Sequence, residues 1–101
     1  MTTDEYVDEV LALVERIPAG RVMSYGGIAD YLAERSGRLS PRLIGRIMAL
    51  YGGAVPWHRV VSSSGRVVAR HTAEAIARLR AERTPLRNGH VDMPLAEWQP
   101  D

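Results

Sequence analysis

A chain of 101 residues, 46% hydrophobic and 25% charged, is long enough for a single domain spanning residues 1–101 with one modest core. It has no cysteine, which excludes disulfides, thiolate zinc sites and any thiol nucleophile. No apolar run is long enough to span a membrane, and the acidic start Thr2-Thr3-Asp4-Glu5 is unlike a signal or transit peptide, so a cytoplasmic location is expected.

The formal net charge is +1, but the charges are unevenly placed. Residues 1–34 carry Asp4, Glu5, Asp8, Glu9, Glu15, Asp30 and Glu34 against Arg16 and Arg21. Residues 35–73 carry no acid and hold Arg35, Arg38, Arg42, Arg46, Arg59, Arg66 and Arg70. A basic middle in a nearly neutral protein predicts one polyanion-binding face, since solvated surfaces usually mix both signs.

Thr2 and Glu5 fit a capping box, and Tyr6, Val7, Val10, Leu11, Val14 and Ile17 recur at helical spacing. Pro18 ends this helix, because the residue before proline avoids the α region. Arg21-Val22-Met23 reads as a short extended link. Ser24 caps a second helix to about Arg35, with Ile28, Ala29 and Leu32 inward. Gly26 and Gly27 in its first turn each cost about 1 kcal/mol relative to alanine, which predicts a close approach by another backbone or a ligand. Ser36-Gly37 ends that helix.

Ser40-Pro41 is a strong start for a third helix to about Leu50. Leu43, Ile44, Ile47 and Met48 should face the core. Arg42, Gly45, Arg46 and Ala49 share the opposite face, which is cationic and small. A basic second helix after a short turn matches the helix-turn-helix pattern.

Tyr51-Gly52-Gly53-Ala54 leads to Val55-Pro56-Trp57-His58-Arg59-Val60-Val61, read as an extended, valine-rich strand. Val60-Val61, Ser62-Ser63-Ser64-Gly65 and Arg66-Val67-Val68 read as a hairpin or wing with Arg66 and Arg70 near it. Thr72 is read as the cap of a last helix to about Arg83, with Ile76 and Leu79 inward and Thr84-Pro85 as its stop. Asn88-Gly89 is a turn, and the tail to Asp101 has weak signals, with Trp98 free to pack back on the core.

Several of these segments, in this order, resemble the DNA-binding domain of O6-alkylguanine-DNA alkyltransferases: Ile17-Pro18-Ala19-Gly20-Arg21-Val22, Ser24-Tyr25-Gly26, Ile28-Ala29, Arg42-Leu43-Ile44-Gly45 and Pro56-Trp57-His58-Arg59-Val60-Val61. The resemblance covers roughly residues 5 to 85. It implies a mainly α fold with a small β-hairpin, a winged helix-turn-helix like the C-terminal domain of those transferases. In the transferases a cysteine stands between the proline and the histidine and accepts the alkyl group. Trp57 holds that position here, as in the alkyltransferase-like proteins, which bind O6-alkylguanine without repairing it and flag it for nucleotide excision repair.

The resemblance also implies roles. Tyr25 resembles the tyrosine that crowds a phosphate and helps rotate the nucleotide out. Arg42 resembles the arginine finger that fills the vacated stack. Gly45 lies on the helix that enters the minor groove, with Gly26, Arg46 and Arg66 as further DNA contacts. His58 and Glu82 resemble the pair that activates the transferase cysteine through water, with Arg59 in the same motif. Val60, Ser63, Ser64 and Gly65 correspond to pocket and loop backbone. The family's asparagine between recognition helix and nucleophile appears as Tyr51, a candidate support for the His58 network, and the Gly65-to-Thr72 segment is shorter than in the transferases. Simpler readings stand beside these: Tyr25 as a core tyrosine, Arg42 as a phosphate clamp, Glu82 as a surface residue paired with Arg78.

The chemistry follows from the missing thiol. Alkyl transfer from guanine needs a strong soft nucleophile, and an indole nitrogen is only a donor. The expected protein is therefore not an enzyme and needs no cofactor or metal. It is expected to act as a monomer on duplex DNA containing O6-alkylguanine, associated with the nucleoid, with nucleotide excision repair proteins as partners. A winged-helix transcription regulator is the alternative, and an enzyme using His58 and Glu82 as acid and base, for instance a glycosylase, ranks last because no metal-ligand spacing supports it.

Overall fold

Val10, Leu13 and Val14, with Ile17 just beyond, form one apolar stripe of helix α1 (Thr3–Arg16), and all four are buried. The computed structural model describes residues 3–36, 40–67 and 71–100. The proposed Thr2 cap, the Gly37 stop, Arg38, Val68 and Arg70 lie outside the described residues, as does the side chain of Arg35. After α1 come β1 (Met23–Ser24), α2 (Tyr25–Ser36), α3 (Pro41–Tyr51), 3-10 turns at Gly52–Ala54 and Trp57–Arg59, and β2 (Val60–Val61). Then follow α4 (Thr72–Ala81), β3 (Leu86–Arg87), β4 (His90–Val91) and a last short helix, α5 (Met93–Ala96).

The helix starts obey local chemistry. The Ser24 hydroxyl accepts from the Gly27 N–H at 2.9 Å, and the Ser40 hydroxyl accepts from the Leu43 N–H at 3.1 Å ahead of Pro41. A Cβ on Gly27 would stand 3.1 Å from the Ser24 hydroxyl, so this glycine makes room for the cap itself. The expected close approach is thus made by the chain's own cap. α2 and α3 pack together and on α1, and together they form the helix-turn-helix of a mainly α fold.

Two apolar clusters are joined by one short strand pair. The first gathers α1, α2 and α3 around Met23 and Val60. The second gathers Val22, Val61, Val67, Ala75, Leu79, Val91 and Ala96. β1 and β2 run parallel with Met23 opposite Val60 and Ser24 opposite Val61; Met23 and Val60 enter the first cluster, while their neighbours Val22 and Val61 enter the second.

The expected hairpin over residues 60–68 is therefore not what Val60-Val61 make. Their partner is β1, and Ser62 to Arg66 close as a tight turn. In it the Ser62 N–H donates to the Arg66 carbonyl and the Gly65 N–H to the Ser62 carbonyl, both at 2.9 Å. The small hairpin sits later, where β3 pairs antiparallel with β4 across Asn88 and Gly89. Both turn residues have positive φ, 53° and 80°, as a type I′ turn requires.

α4 also differs from expectation at both ends. Thr72 is its first helical residue rather than its cap, and His71 precedes it with no side-chain cap bond. It stops at Ala81, because Arg83 takes a left-handed φ of 61° and the Thr84 N–H reaches back to the Leu79 carbonyl at 3.0 Å.

The tail is an ordered strap. The Val22 N–H donates to the Ala96 carbonyl at 3.0 Å, and the Trp98 N–H donates to the Val22 carbonyl at 2.8 Å. Arg21 donates to the carbonyls of Ala96 and Glu97, and Trp98 packs on the first cluster beneath Arg16.

Candidate nucleic-acid interface

Pro56 sets the geometry of the site. Its φ of −72° and ψ of 69° make an inverse γ-turn, closed by the Trp57 N–H on the Val55 carbonyl at 2.7 Å. The chain then coils as one 3-10 turn instead of running extended as the valines suggested, and it straightens only at Val60. The turn sends neighbouring side chains opposite ways. Trp57 stays half-buried on a cleft, while His58, 4% exposed, is driven inward.

Beneath Trp57 lies a three-residue polar network. His58 Nε2 is 2.9 Å from Glu82 Oε2. Arg59 donates through Nε to Glu82 Oε1 at 3.0 Å, through Nη2 to Oε2 at 2.6 Å, and through Nη1 to the Ile17 carbonyl at 2.8 Å. The bidentate Arg59 contact, ahead of the His58 bond, holds the Glu82 carboxyl at about 2, well below the usual range, against the opposing effect of burial. Glu82 is therefore ionised at neutral pH and can only accept, so His58 Nε2 carries the proton. His58 Nδ1 is buried without a partner among the described residues.

These bonds correct three expectations. Glu82 is not paired with Arg78, which instead bridges Glu74 at 2.6 Å. Arg59 is not part of a free cationic face, because its guanidinium is spent on Glu82 and Ile17. Tyr51 is 52% exposed and does not partner His58, so it gives the network no support.

Above the network opens a cleft of about 500 Å³, the scale of small-ligand pockets. One wall comes from Tyr25, from Gly45, Met48 and Ala49 of α3, and from Gly52 and Gly53 of the 3-10 turn that follows it. The other comes from Trp57 and from His71, Glu74 and Arg78 of the α4 segment. The Arg78 guanidinium lies 5.4 Å from the Trp57 ring centroid, and His71 and His58 meet the ring edge-on at 6.5 and 6.0 Å. Burial pushes the Tyr25 hydroxyl above its ordinary value of 10.0, so it stays a neutral donor beside the cleft. Arg42 and Arg46 stand exposed on α3, next to the cleft-lining Gly45.

The sequence model of the family described as "6-O-methylguanine DNA methyltransferase, DNA binding domain" matches residues 5–84. Alkyltransferase-like protein 1 of Schizosaccharomyces pombe is 31% identical over 111 residues, covering 99% of this chain and all of that protein. The chain belongs to the alkyltransferase-like family. A DNA base-flipping protein of Vibrio parahaemolyticus is 28% identical, covering 96% of this chain and 99% of its own length. The crystal structure of S. pombe Atl1 in complex with damaged DNA containing O6-carboxymethylguanine superposes with a TM-score of 0.82 at 30% identity, over 99% of this chain and all of that one. A second S. pombe complex with DNA gives 0.77 at 31%, with the same coverage. These relatives are named for alkyltransferase likeness and base flipping rather than as transferases.

Of the residues singled out from the sequence, Tyr25, Gly45 and Trp57 line the alkyltransferase-like cleft, and His58, Arg59 and Glu82 form the layer below it. Gly26 opens α2 beside Tyr25. Val60 is buried in the first cluster and gives the cleft no wall. Ser63 and Ser64 are exposed in the turn, and Gly65 is buried against β4, its carbonyl accepting from the Val91 N–H at 2.9 Å. Arg66 is exposed beyond that turn.

Sequence reasoning missed His71, Glu74 and Met48, and it placed Arg78 against the wrong acid. Glu74 and Arg78, four residues apart, read as an ordinary solvated helix pair. Nothing local in the sequence shows that their helix packs against the turn carrying Trp57.

Proposed function

We propose that this protein senses O6-alkylguanine in duplex DNA by taking the damaged base into the cleft against Trp57, without removing the alkyl group. The observation that carries the reading is the shared wall. Gly45 lies on the cleft and on the helix that presents Arg42 and Arg46. A duplex held along α3 thus has its bases next to the opening. The small residues Gly45, Ala49, Gly52 and Gly53 leave room for a backbone to come close, and Tyr25 stands where it can press on a phosphate. Arg42 fills the space left in the stack.

Rotating a base out costs a few kcal/mol, and less for a pair already weakened by alkylation. Stacking on an aromatic surface returns about 1–3 kcal/mol per base. Damaged and normal guanine are then separated by affinity alone. The kinship with a base-flipping protein and with proteins crystallised on damaged DNA supports this reading. In it, the protein acts as a monomer at the nucleoid, and the persistent complex is what nucleotide excision repair proteins recognise.

The test is binding to one duplex with and without a single O6-methylguanine, followed by mass measurement of DNA and protein. Tighter binding to the lesion with the methyl group retained is expected. Equal affinities across several lesions, or a preference for a base sequence instead, would reject the proposal.

A further inference from the structure

The Glu74–Arg78 pair is unexplained by the reading above, and it stands inside the cleft rather than on an outer face. Both residues line it, Arg78 Nη2 lies 2.6 Å from Glu74 Oε2, and the same guanidinium lies over the Trp57 ring. Each side chain keeps half its surface exposed, so neither is locked by packing. Across the cleft the wall is apolar or small, apart from the neutral hydroxyl of Tyr25.

We infer that Arg78, restrained by Glu74, sets the charge preference for the group carried on the damaged base, favouring substituents that end in a carboxylate over neutral ones of the same size. This rests on the cleft being the lesion pocket. A substituent lying against Trp57 comes within reach of the guanidinium, because the two groups are already in contact. Arginine offers five donors in a planar fork, more than the two oxygens of Glu74 can occupy, and Nη2 is the nitrogen paired with Glu74 Oε2. A carboxylate can take the open side of the fork or displace Glu74 from it. A neutral amide offers one uncharged acceptor, a weaker partner that does not compete with the Glu74 carboxylate for the guanidinium. Glu74 opposes an incoming anion by like charge and by competing for Arg78. The two residues therefore push the preference in opposite directions.

The experiment compares duplexes carrying O6-carboxymethylguanine with duplexes carrying its uncharged amide, O6-carbamoylmethylguanine. Size and flipping cost are matched, so the affinity ratio reports charge. In Arg78→Ala the ratio should fall about tenfold, the scale of one charge-assisted contact, and Arg78→Lys should restore part of it. In Glu74→Gln the ratio should rise. Both positions are half-exposed, so the variants should fold, which circular dichroism checks. A loss of affinity equal for both duplexes would make Arg78 a phosphate contact and overturn the inference, as would a ratio that Glu74→Gln leaves unchanged. Failure of the underlying lesion reading looks different: O6-methylguanine and guanine duplexes would then bind the unsubstituted protein alike.

Discussion

His58 Nε2 points at Glu82 Oε2 from 2.9 Å, and its other ring nitrogen is buried without a partner among the described residues. In a transferase this arrangement serves a thiol. Here the residue beside it is an indole, so the polar layer acts as a rigid floor for the Trp57 turn.

That floor titrates. Glu82 has its carboxyl lowered to about 2 in the folded protein, chiefly by Arg59. A lowered carboxyl contributes stability that is complete above the unfolded value, near 4.5, and is lost as pH falls toward about 2. The melting temperature of the parent should fall steeply across that window. Glu82→Gln should melt lower at neutral pH and show a flatter acid limb. Parallel curves for the two proteins would assign the acid sensitivity elsewhere.

Arg42→Ala should weaken binding to O6-methylguanine duplex more than binding to plain duplex, by about 1–2 kcal/mol, the scale of one lost stacking contact. A uniform loss, with the salt slope reduced by about one, would instead identify a phosphate clamp.

Trp57→Cys should fail as an alkyltransferase, although His58 and Glu82 stand ready below. Displacement requires the reacting atoms about 3–3.5 Å apart and aligned. Replacing indole by a thiol widens a cleft that already measures about 500 Å³, and nothing then holds the base against the sulfur. Lesion binding should weaken too. Intact-protein mass after single-turnover incubation decides: a prompt gain of one methyl group would show that the machinery is complete apart from its thiol.

Gly65→Ala should be among the most damaging single-methyl additions in the chain. Gly65 has a φ of 87°, and an added Cβ would collide with the Val91 carbonyl, the backbone of β4. A loss of about 2–4 kcal/mol in denaturant unfolding is expected, since both backbone strain and displacement of β4 are involved. A loss below that range would mean the turn shifts freely.

The helices were legible because their signals are local. Ser24, Ser40-Pro41 and the Val10–Val14 spacing each act within a turn or two. The strand pairing was not, because Val60 finds its partner in Met23, far earlier in the chain, and a valine run says nothing about which edge it will meet. The coil at Trp57 was hidden for a different reason: β-branched neighbours favoured extension, and the γ-turn at Pro56 overrode them. His58 and Glu82 were paired through family likeness, and the participation of Arg59 in holding Glu82 emerged only from the folded geometry.

The C-terminal strap separates two lengths that are usually taken as one. The match to the methyltransferase DNA-binding domain ends at residue 84, yet Val91 and Ala96 are buried in the second cluster, and Val22 exchanges backbone hydrogen bonds with Ala96 and Trp98. The unit shared with the transferases is therefore shorter than the cooperative unit, and the alkyltransferase-like relatives align through the strap as well. A fragment cut at the family boundary would bare Val22, Val61 and Leu79 to water and leave the Val22 amide and carbonyl without these partners. Because those contacts join Val22 to Ala96 and Trp98, ordering of the second cluster must wait until residues 91–98 are made, and the Trp57 turn gains its full support only then.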